Sequence, residues 1–276
     1  MTCPDRTGIV ARTTMLLYRL NANVLSLEQH VEGTGQFFMR ILADTSAISI
    51  SEDEFRLKTA ELATELNARI SLREPRQASR IAILVSREDG CLWELLLKHR
   101  SGDLDGEARM IVSNHDSLRP VAEAFALPFH HVPVTAETRE SQERSVLDLL
   151  RADRTDLVVL ARYMQILSAA FVAEYAGRII NIHHGFLPAF KGSRPYHRAW
   201  ERGVKIIGAT AHYVTESLDE GPIIDQDVIS VSHQHSVDEM IERGRDLERR
   251  VLLNAVQAHL QHRIIIHNNR TIVFHP

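Results

Sequence analysis

The sequence predicts an α/β protein of two domains, a small α+β domain followed by a larger domain built on a doubly wound, mostly parallel sheet. The first residues read as one helix, a β-hairpin and a second helix, and a polar, proline-marked segment, Glu74-Pro75-Arg76-Gln77, follows them. Short apolar runs then alternate with helical stretches, a pattern typical of parallel βαβ units. We therefore predict domains at residues 1–75 and 76–276.

The first domain has the predicted order α-β-β-α-β. Ile9, Thr13 and Leu20 fall at helical spacing, and polar residues at 21–23 end the helix. The turn residues Glu32-Gly33-Thr34-Gly35 join two strands into a hairpin. The predicted elements are a helix over 9–20, strands over 25–28 and 37–42, a helix that begins at Ser51 with Glu54 completing a capping box, and an extended segment from Ile70.

The second domain is predicted from continuous apolar runs, which are typical of strands buried on both faces. These runs cover 81–85, 110–112, 129–134, 157–160 and 179–182, with helices over 118–125 and 141–150 between them. Two further strands over 206–214 and 223–231, joined by a short acidic loop, predict an antiparallel extension of the sheet. A helix capped by Ser236 and Glu239 closes the domain.

Composition favours a small ligand over a macromolecular one. The 276 residues are 44% hydrophobic and 25% charged with a formal net charge of -4, so a nucleic acid or an anionic membrane surface is disfavoured. Two cysteines, Cys3 and Cys91, fit a reducing compartment, and no segment approaches the roughly 18 uninterrupted apolar residues of a membrane helix. We expect a cytoplasmic protein.

The candidate active site follows the strand at 179–182, because ligands of open α/β sheets bind beyond the carboxyl ends of the strands. Asn181 and His183 are two residues apart, so their side chains point to the same side of an extended segment. The ordinary alternative is a strand-capping asparagine and a buried structural histidine. A Gly- and Pro-containing loop over 186–192 and the carboxylate of Asp219, in the loop between the last two strands, favour a functional site.

An amide, an imidazole and a carboxylate suit acyl transfer without a covalent nucleophile. The amide stabilises an oxyanion, the imidazole moves a proton, and the carboxylate orients the imidazole or activates water. The pair His233 and His235 lacks a third metal ligand, and Ser193 near His197 does not resemble a nucleophile elbow. We therefore predict neither a metal site nor a serine triad.

Several stretches resemble the folate-dependent formyltransferase family, and within it the deformylases. They are Asn181-Ile182-His183, 187–192, 208–214 and 219–224. The start of the chain, Asp5-Arg6-Thr7-Gly8-Ile9-Val10, is similar to an ACT regulatory domain. The resemblance implies a hydrolase acting on the C–N bond of 10-formyltetrahydrofolate, giving tetrahydrofolate and formate, with neither metal nor other cofactor. It also implies a role in one-carbon balance and in formate supply for purine biosynthesis.

The same resemblance implies roles for individual residues. Asn181 would hold the formyl oxygen, His183 would stabilise the intermediate and help to protonate the departing nitrogen, and Asp219 would activate water. The pterin-binding stretch would be Arg162, Tyr163, Met164, Gln165, Ile166 and Leu167. His212 and Thr215 complete the predicted substrate-binding set; a buried structural histidine is the alternative for His212, and an ordinary strand-to-helix loop for the pterin stretch.

The loop after the first strand of the second domain indicates the formyl acceptor. Related enzymes that formylate a phosphorylated amine need a glycine-rich turn there, whereas Glu88 and Asp89 in the stretch 86–91 would repel a phosphate. We therefore predict water as the acceptor. Two rival functions remain open: a formyltransferase with an amine acceptor, and a non-catalytic folate or amino-acid sensor.

The ACT resemblance implies pairing of these domains through exposed sheet edges, hence a homo-oligomer, with a tetramer favoured. It also implies an amino-acid effector at that interface. The family has a full strand before the Cys3-Pro4-Asp5 position, whereas two residues precede Cys3 here. The first domain therefore departs from the family pattern at its start.

Overall fold

The fold is described from a computed structural model that covers residues 1–73, 78–189 and 194–275. The chain divides into two compact units, Met1–Pro75 with Phe274–Pro276, and Arg76–Val273. The predicted boundary between residues 75 and 76 lies outside the described residues, and so do residues 190–192 of the predicted loop over 186–192. In the described part of the chain, no helix is both long enough and apolar enough to span a membrane.

The first unit is a three-stranded antiparallel sheet with two helices. Its elements are β1 (Thr2–Pro4), α1 (Ile9–Arg19), β2 (Asn23–Val31), β3 (Gln36–Asp44) and α2 (Glu52–Leu66), with the strand order β1-β3-β2. Helix α1 ends where Asn21 takes a left-handed conformation (φ 63°), which asparagine tolerates better than most residues. Helix α2 begins where the Ser51 hydroxyl accepts a hydrogen bond from the Glu54 amide at 3.2 Å.

The predicted order α-β-β-α-β is wrong at both ends. A first strand is present, because β1 pairs with β3 in the register Thr2↔Phe38. The extended segment expected from Ile70 forms no strand; only Arg69 bridges to Thr2, through hydrogen bonds of 2.8 and 2.9 Å between their backbones. β1 is three residues long, so a neighbouring segment has little strand to pair with.

The second unit is built on a seven-stranded sheet, as the sequence predicts. Its strands are β4 (Ser79–Val85), β5 (Gly106–Ser113), β6 (Phe129–His131), β7 (Leu157–Leu160), β8 (Ile179–His183), β9 (Ile206–Tyr213) and β10 (Ile223–Ser230). Their order is β10-β9-β8-β7-β4-β5-β6. Strands β8, β7, β4, β5 and β6 are parallel, and β9 runs antiparallel to both β8 and β10. The predicted antiparallel extension is therefore confirmed.

Helices cover both faces of this sheet. They are α3 (Gly90–Ser101), α4 (Arg119–Ala124), α5 (Arg139–Asp153), α6 (Ala169–Glu174), α7 (Pro195–Arg202) and α8 (Val237–Leu260), and a hairpin of β11 (Ile264–His267) and β12 (Arg270–Val273) follows. Strand β4 shows the layering, since Ile81 and Ile83 pack in the cluster with α3 and α8, while Ala82 and Leu84 pack with α5 and α6. Burial on both faces explains its continuous apolar run.

Candidate active site

Strands β8 and β9 place four polar side chains on one face of the sheet. Asn181 lies opposite His212 and His183 lies opposite Thr210 in the antiparallel register of these strands. Residues directly opposite each other, and residues two apart in one strand, project to the same face. The convergence of Asn181 and His183 expected from their spacing is therefore present in the fold, and His212 joins them.

The loop between β9 and β10 brings Asp219 to the same place. Its Oδ2 lies 3.3 Å from Nδ1 of His183, and its Oδ1 lies 3.8 Å from Nε2 of His212. The side chains of His183 and Asp219 are 4% and 7% exposed, so their attraction acts in a largely water-free setting. The structure thus brings the three predicted catalytic side chains, Asn181, His183 and Asp219, into one crevice.

Gly221 fixes the path of that loop. A β-carbon at this position would lie 1.8 Å from the backbone oxygen of Tyr213, closer than atoms can approach. The Tyr213 amide also donates a hydrogen bond to the Pro222 carbonyl at 2.9 Å. Because only glycine allows the loop to lie this close to β9, the loop holds Asp219 over the strand pair.

His183 has one nitrogen engaged and the other available. Its Nδ1 faces the Asp219 carboxylate, so a proton on Nδ1 is the one this contact stabilises. Its Nε2 is buried and has no hydrogen-bond partner among the described residues. A β-carbon on Gly185 would come within 3.0 Å of that Nε2, so glycine keeps the space beside it open. The arrangement is that of an imidazole oriented by a carboxylate, which leaves its second nitrogen for proton transfer.

His212 orients the amide of Asn181. Its Nδ1 lies 2.9 Å from the Tyr213 carbonyl oxygen, which can only accept, so this nitrogen carries the proton. Burial lowers the pKa of His212 and favours the neutral ring. Its Nε2 is then an acceptor, and the Asn181 amide nitrogen donates to it at 3.2 Å. The resemblance gave His212 only a supporting role in substrate binding, and this orienting contact depends on a strand pairing that the sequence alone does not specify.

The predicted pterin stretch 162–167 is a loop after β7 that several side chains hold in place. The Tyr163 hydroxyl accepts a hydrogen bond from Gln142 at 2.9 Å, and the Met164 amide donates to the Ser86 hydroxyl at 2.9 Å. The side chains of Met164 and Ile166 are 57% and 56% exposed. The loop is therefore anchored through its backbone and its tyrosine while it presents apolar side chains to solvent.

The remaining predicted binding residues have separate contacts. The Thr215 hydroxyl donates to the Ser217 carbonyl at 3.2 Å and so helps to shape the Asp219 loop. The Arg162 side chain turns toward Glu248 on α8, with Nε 3.5 Å from Oε2. Sequence reasoning missed Glu248. The signal was present, because Glu248 is a charged residue on the apolar face that Leu247 and Val251 define.

No group of three or more metal-ligating side chains occurs within residues 1–73, 78–189 and 194–275. His233 and His235 lie in the turn before α8, and His235 Nδ1 accepts a hydrogen bond from the Ser232 amide at 3.0 Å.

Comparison with known proteins identifies the family. The Formyl transferase family model matches residues 79–256, and the ACT domain model matches residues 1–57. A formyltetrahydrofolate deformylase from Synechocystis is 48% identical over 275 residues, which cover 99% of this chain and 96% of that protein. The chain belongs to the formyltetrahydrofolate deformylase family.

Solved structures agree with this membership in the deformylase family. A formyltetrahydrofolate deformylase from Pseudomonas syringae superposes with a TM-score of 0.95 at 42% identity and covers 99% of this chain and 92% of its own. A glycinamide ribonucleotide transformylase from Symbiobacterium toebii has a TM-score of 0.70 at 28% identity, covering 75% of this chain and 98% of its own. The deformylase family therefore shares its catalytic fold with enzymes whose names specify a different acceptor.

Proposed function

We propose that this chain hydrolyses 10-formyltetrahydrofolate to tetrahydrofolate and formate at the site formed by Asn181, His183 and Asp219. The observation that carries the proposal is the carboxylate–imidazole contact of 3.3 Å, with the imidazole Nε2 left without a hydrogen-bond partner among the described residues. Membership in the deformylase family supports the substrate and the reaction. The role in formate supply for purine biosynthesis and one-carbon balance remains a prediction from that resemblance.

Asn181 is assigned to the formyl oxygen. Its amide donates one N–H to Nε2 of His212 at 3.2 Å. Because the amide is planar, this contact also fixes the direction of the second N–H. An amide donor that is fixed before the reaction stabilises the developing oxyanion without having to reorganise. Removal of one such donor typically lowers the rate by about 10²–10³-fold.

Asp219 and His183 are assigned to the proton transfers. Asp219 accepts a proton as water attacks the formyl carbon, and the bond between that carbon and N10 of the folate breaks. His183 stabilises the tetrahedral intermediate and, with protons on both ring nitrogens in this step, delivers the one on Nε2 to the departing N10. Asp219 then gives up the proton taken from water, and His183 regains its own through solvent. Water thus supplies the oxygen of formate and N10 leaves protonated, so no step in this scheme calls for a metal.

The loop 162–167 is assigned to the pterin. Ser86 and Gln142 fix the loop through Met164 and Tyr163, so its backbone groups are held at defined positions. Fixed amides and carbonyls can read the hydrogen-bonding edge of a pterin, while exposed Met164 and Ile166 offer apolar surface to its ring. Binding of an amino-acid effector by the ACT unit, and assembly into a homo-oligomer, remain predictions.

The experiment is formate release from 10-formyltetrahydrofolate by the unmodified protein and by Asp219→Asn, with no amine added. Asp219→Asn keeps the shape of the side chain but removes its charge, and we expect kcat to fall by about 10²–10⁴-fold, the range for loss of a general acid or base. Asp148→Asn is the matched control, because Asp148 lies exposed on α5. Unchanged kcat in Asp219→Asn, or release that requires an added amine, would refute the proposal.

A further inference from the structure

A buried polar cluster lies beside the candidate active site, and its side chains take no part in the proton transfers above. Glu248 on α8 is 2% exposed and binds two partners, Arg162 after β7 and Tyr196 on α7. The Tyr196 hydroxyl donates to Oε1 of Glu248 at 2.8 Å, and Arg162 Nε lies 3.5 Å from Oε2. Gly244 makes room for this, since a β-carbon there would lie 2.0 Å from the Tyr196 hydroxyl.

Stability is a poor explanation for this cluster. Burying a carboxylate and a guanidinium costs several kcal/mol per ion in real proteins, by order of magnitude, and apolar residues of similar size often serve as well. Burial also raises the pKa of Glu248, which shows that the charged form is disfavoured there. Arg162 adds two further costs: its backbone is left-handed (φ 63°), and its Nη1 is buried with no hydrogen-bond partner in the described part of the chain.

The cluster adjoins the catalytic histidine through His184. The rings of His183 and His184 are 5.5 Å apart, and the rings of His184 and Tyr196 are 6.0 Å apart. Arg162 is also close enough for its charge to lower the pKa of His184, after the larger effect of burial. The Arg162 side chain therefore lies beside the crevice, on the side that faces α7 and α8.

A second ion pair lies about one turn earlier on helix α8. Arg245 on α8 lies 3.1 Å from Glu88, in the loop after β4 where a phosphate-binding turn would lie in an enzyme with a phosphorylated acceptor. Arg162 and Arg245 are thus each neutralised by a carboxylate of the chain. Both pairs join a loop at the carboxyl edge of the sheet to helix α8, and the Arg162 pair is the one that adjoins His184.

We propose that the cluster of Arg162, Glu248 and Tyr196 determines acceptor specificity: it fills the space that an amine acceptor would need, so that water alone reaches the formyl carbon. This inference rests on the proposed hydrolysis and adds the reason for its acceptor. Steric and electrostatic exclusion of a competing ligand by charged side chains is a common source of specificity.

In an opened site, a primary amine would replace water. Its nitrogen would attack the formyl carbon, the bond from that carbon to N10 would break, and one amine proton would pass to N10. The products would be an N-formyl amide and tetrahydrofolate. Formate and formyl amide together must therefore equal the tetrahydrofolate formed, which makes the ratio of the two products a direct measure of acceptor choice.

The test uses the double variant Arg162→Gly with Glu248→Gln, and Arg162→Gly alone as the second variant. Glycine suits the left-handed backbone at 162, and glutamine keeps an acceptor for the Tyr196 hydroxyl. Each protein is given 10-formyltetrahydrofolate and glycinamide, a small primary amine that carries no phosphate, and N-formylglycinamide and formate are measured by mass spectrometry. We expect the ratio of formylated amine to formate to rise by about tenfold or more, the lower range of discrimination by pocket shape.

Arg154→Gly is the matched control, because Arg154 is also a left-handed arginine (φ 55°) but is exposed at the opposite end of β7. It should keep the wild-type ratio. A ratio unchanged in both variants that still release formate would overturn the inference, and so would equal loss of both products in folded variants. Failure of the unmodified protein to release formate would instead refute the proposed function.

Discussion

His184 should make the stability of the catalytic unit depend on pH. The pKa of His184 is lowered from 6.5 to about 3. Burial is the main cause, the charges of Arg162 and His183 add to it, and the Asp219 carboxylate opposes it. Arg198 on α7 makes a smaller contribution to the same lowering of the His184 pKa. The folded chain therefore keeps this ring neutral where the unfolded chain protonates it, and protonation of the unfolded state draws the equilibrium toward unfolding below pH 6.5.

The magnitude follows from these two pKa values. Between pH 7 and pH 5 the unfolded ring gains most of a proton while the folded ring stays neutral, so the free energy of unfolding should fall by about 2 kcal/mol, at about 1.36 kcal/mol for each pKa unit. The stabilisation is complete above pH 6.5 and is lost as the pH falls toward 3.

Chemical denaturation in urea at pH 7 and pH 5, for the unmodified protein and for His184→Gln, measures this contribution. The variant should lose about 2 kcal/mol less than the unmodified protein over this range, because glutamine does not titrate. His233→Gln, at an exposed position before α8, should keep the wild-type dependence. Equal pH dependence in His184→Gln and the unmodified protein would show that the ring is not held neutral by the fold.

Two further predictions concern the loops that hold the site. Gly221→Ala should destabilise the catalytic unit by about 1–3 kcal/mol and lower kcat, because its β-carbon would clash with the Tyr213 backbone. Thermal melts measure the stability and formate release measures kcat. Gly33→Ala is the control: the space around Gly33 is open, so neither quantity should change. Ser86→Ala should raise KM by roughly fivefold with a smaller change in kcat, because loss of the bond to Met164 costs about 1 kcal/mol of loop order; an unchanged KM would mean that the loop does not bind the folate.

The sequence predicts those parts of the fold that repeat a local pattern. Asn181 and His183 were expected on one side of a strand. The register of β8 against β9 places both on the same face of the sheet, opposite His212 and Thr210. The Ser236–Glu239 capping box is also present in full. In each case the controlling interaction spans two or three residues of the chain, so the sequence contains it directly.

Elements without a clear periodic pattern escaped prediction. Helix α3 buries Leu92, Leu95 and Leu96, but Trp93 and Leu97 are apolar and exposed, so the apolar residues define no single face. Its first residue follows Asp89, whose side chain makes no capping hydrogen bond, which removes the usual sign of a helix start.

Most individual contacts between distant segments could not be read from the sequence, although the site for Asp219 was expected from its loop. Glu248 is visible as a charge on an apolar helix face, but its partners Arg162 and Tyr196 lie 86 and 52 positions away. The same holds for His212 and Asn181, which are separated by 31 positions. Only strand order and helix packing bring these groups together, and these depend on the whole domain.

The backbone at Asp219 explains why asparagine is the informative replacement there. Asp219 is left-handed (φ 55°), a conformation that costs most residues about 1–2 kcal/mol but that aspartate and asparagine adopt readily. Alanine would remove the charge and add this backbone cost, so a loss of activity would have two causes. Asparagine changes the charge alone, while Gly221 keeps the loop against β9. A fall in kcat without a fall in the melting temperature of Asp219→Asn therefore isolates the carboxylate as the group that acts on water.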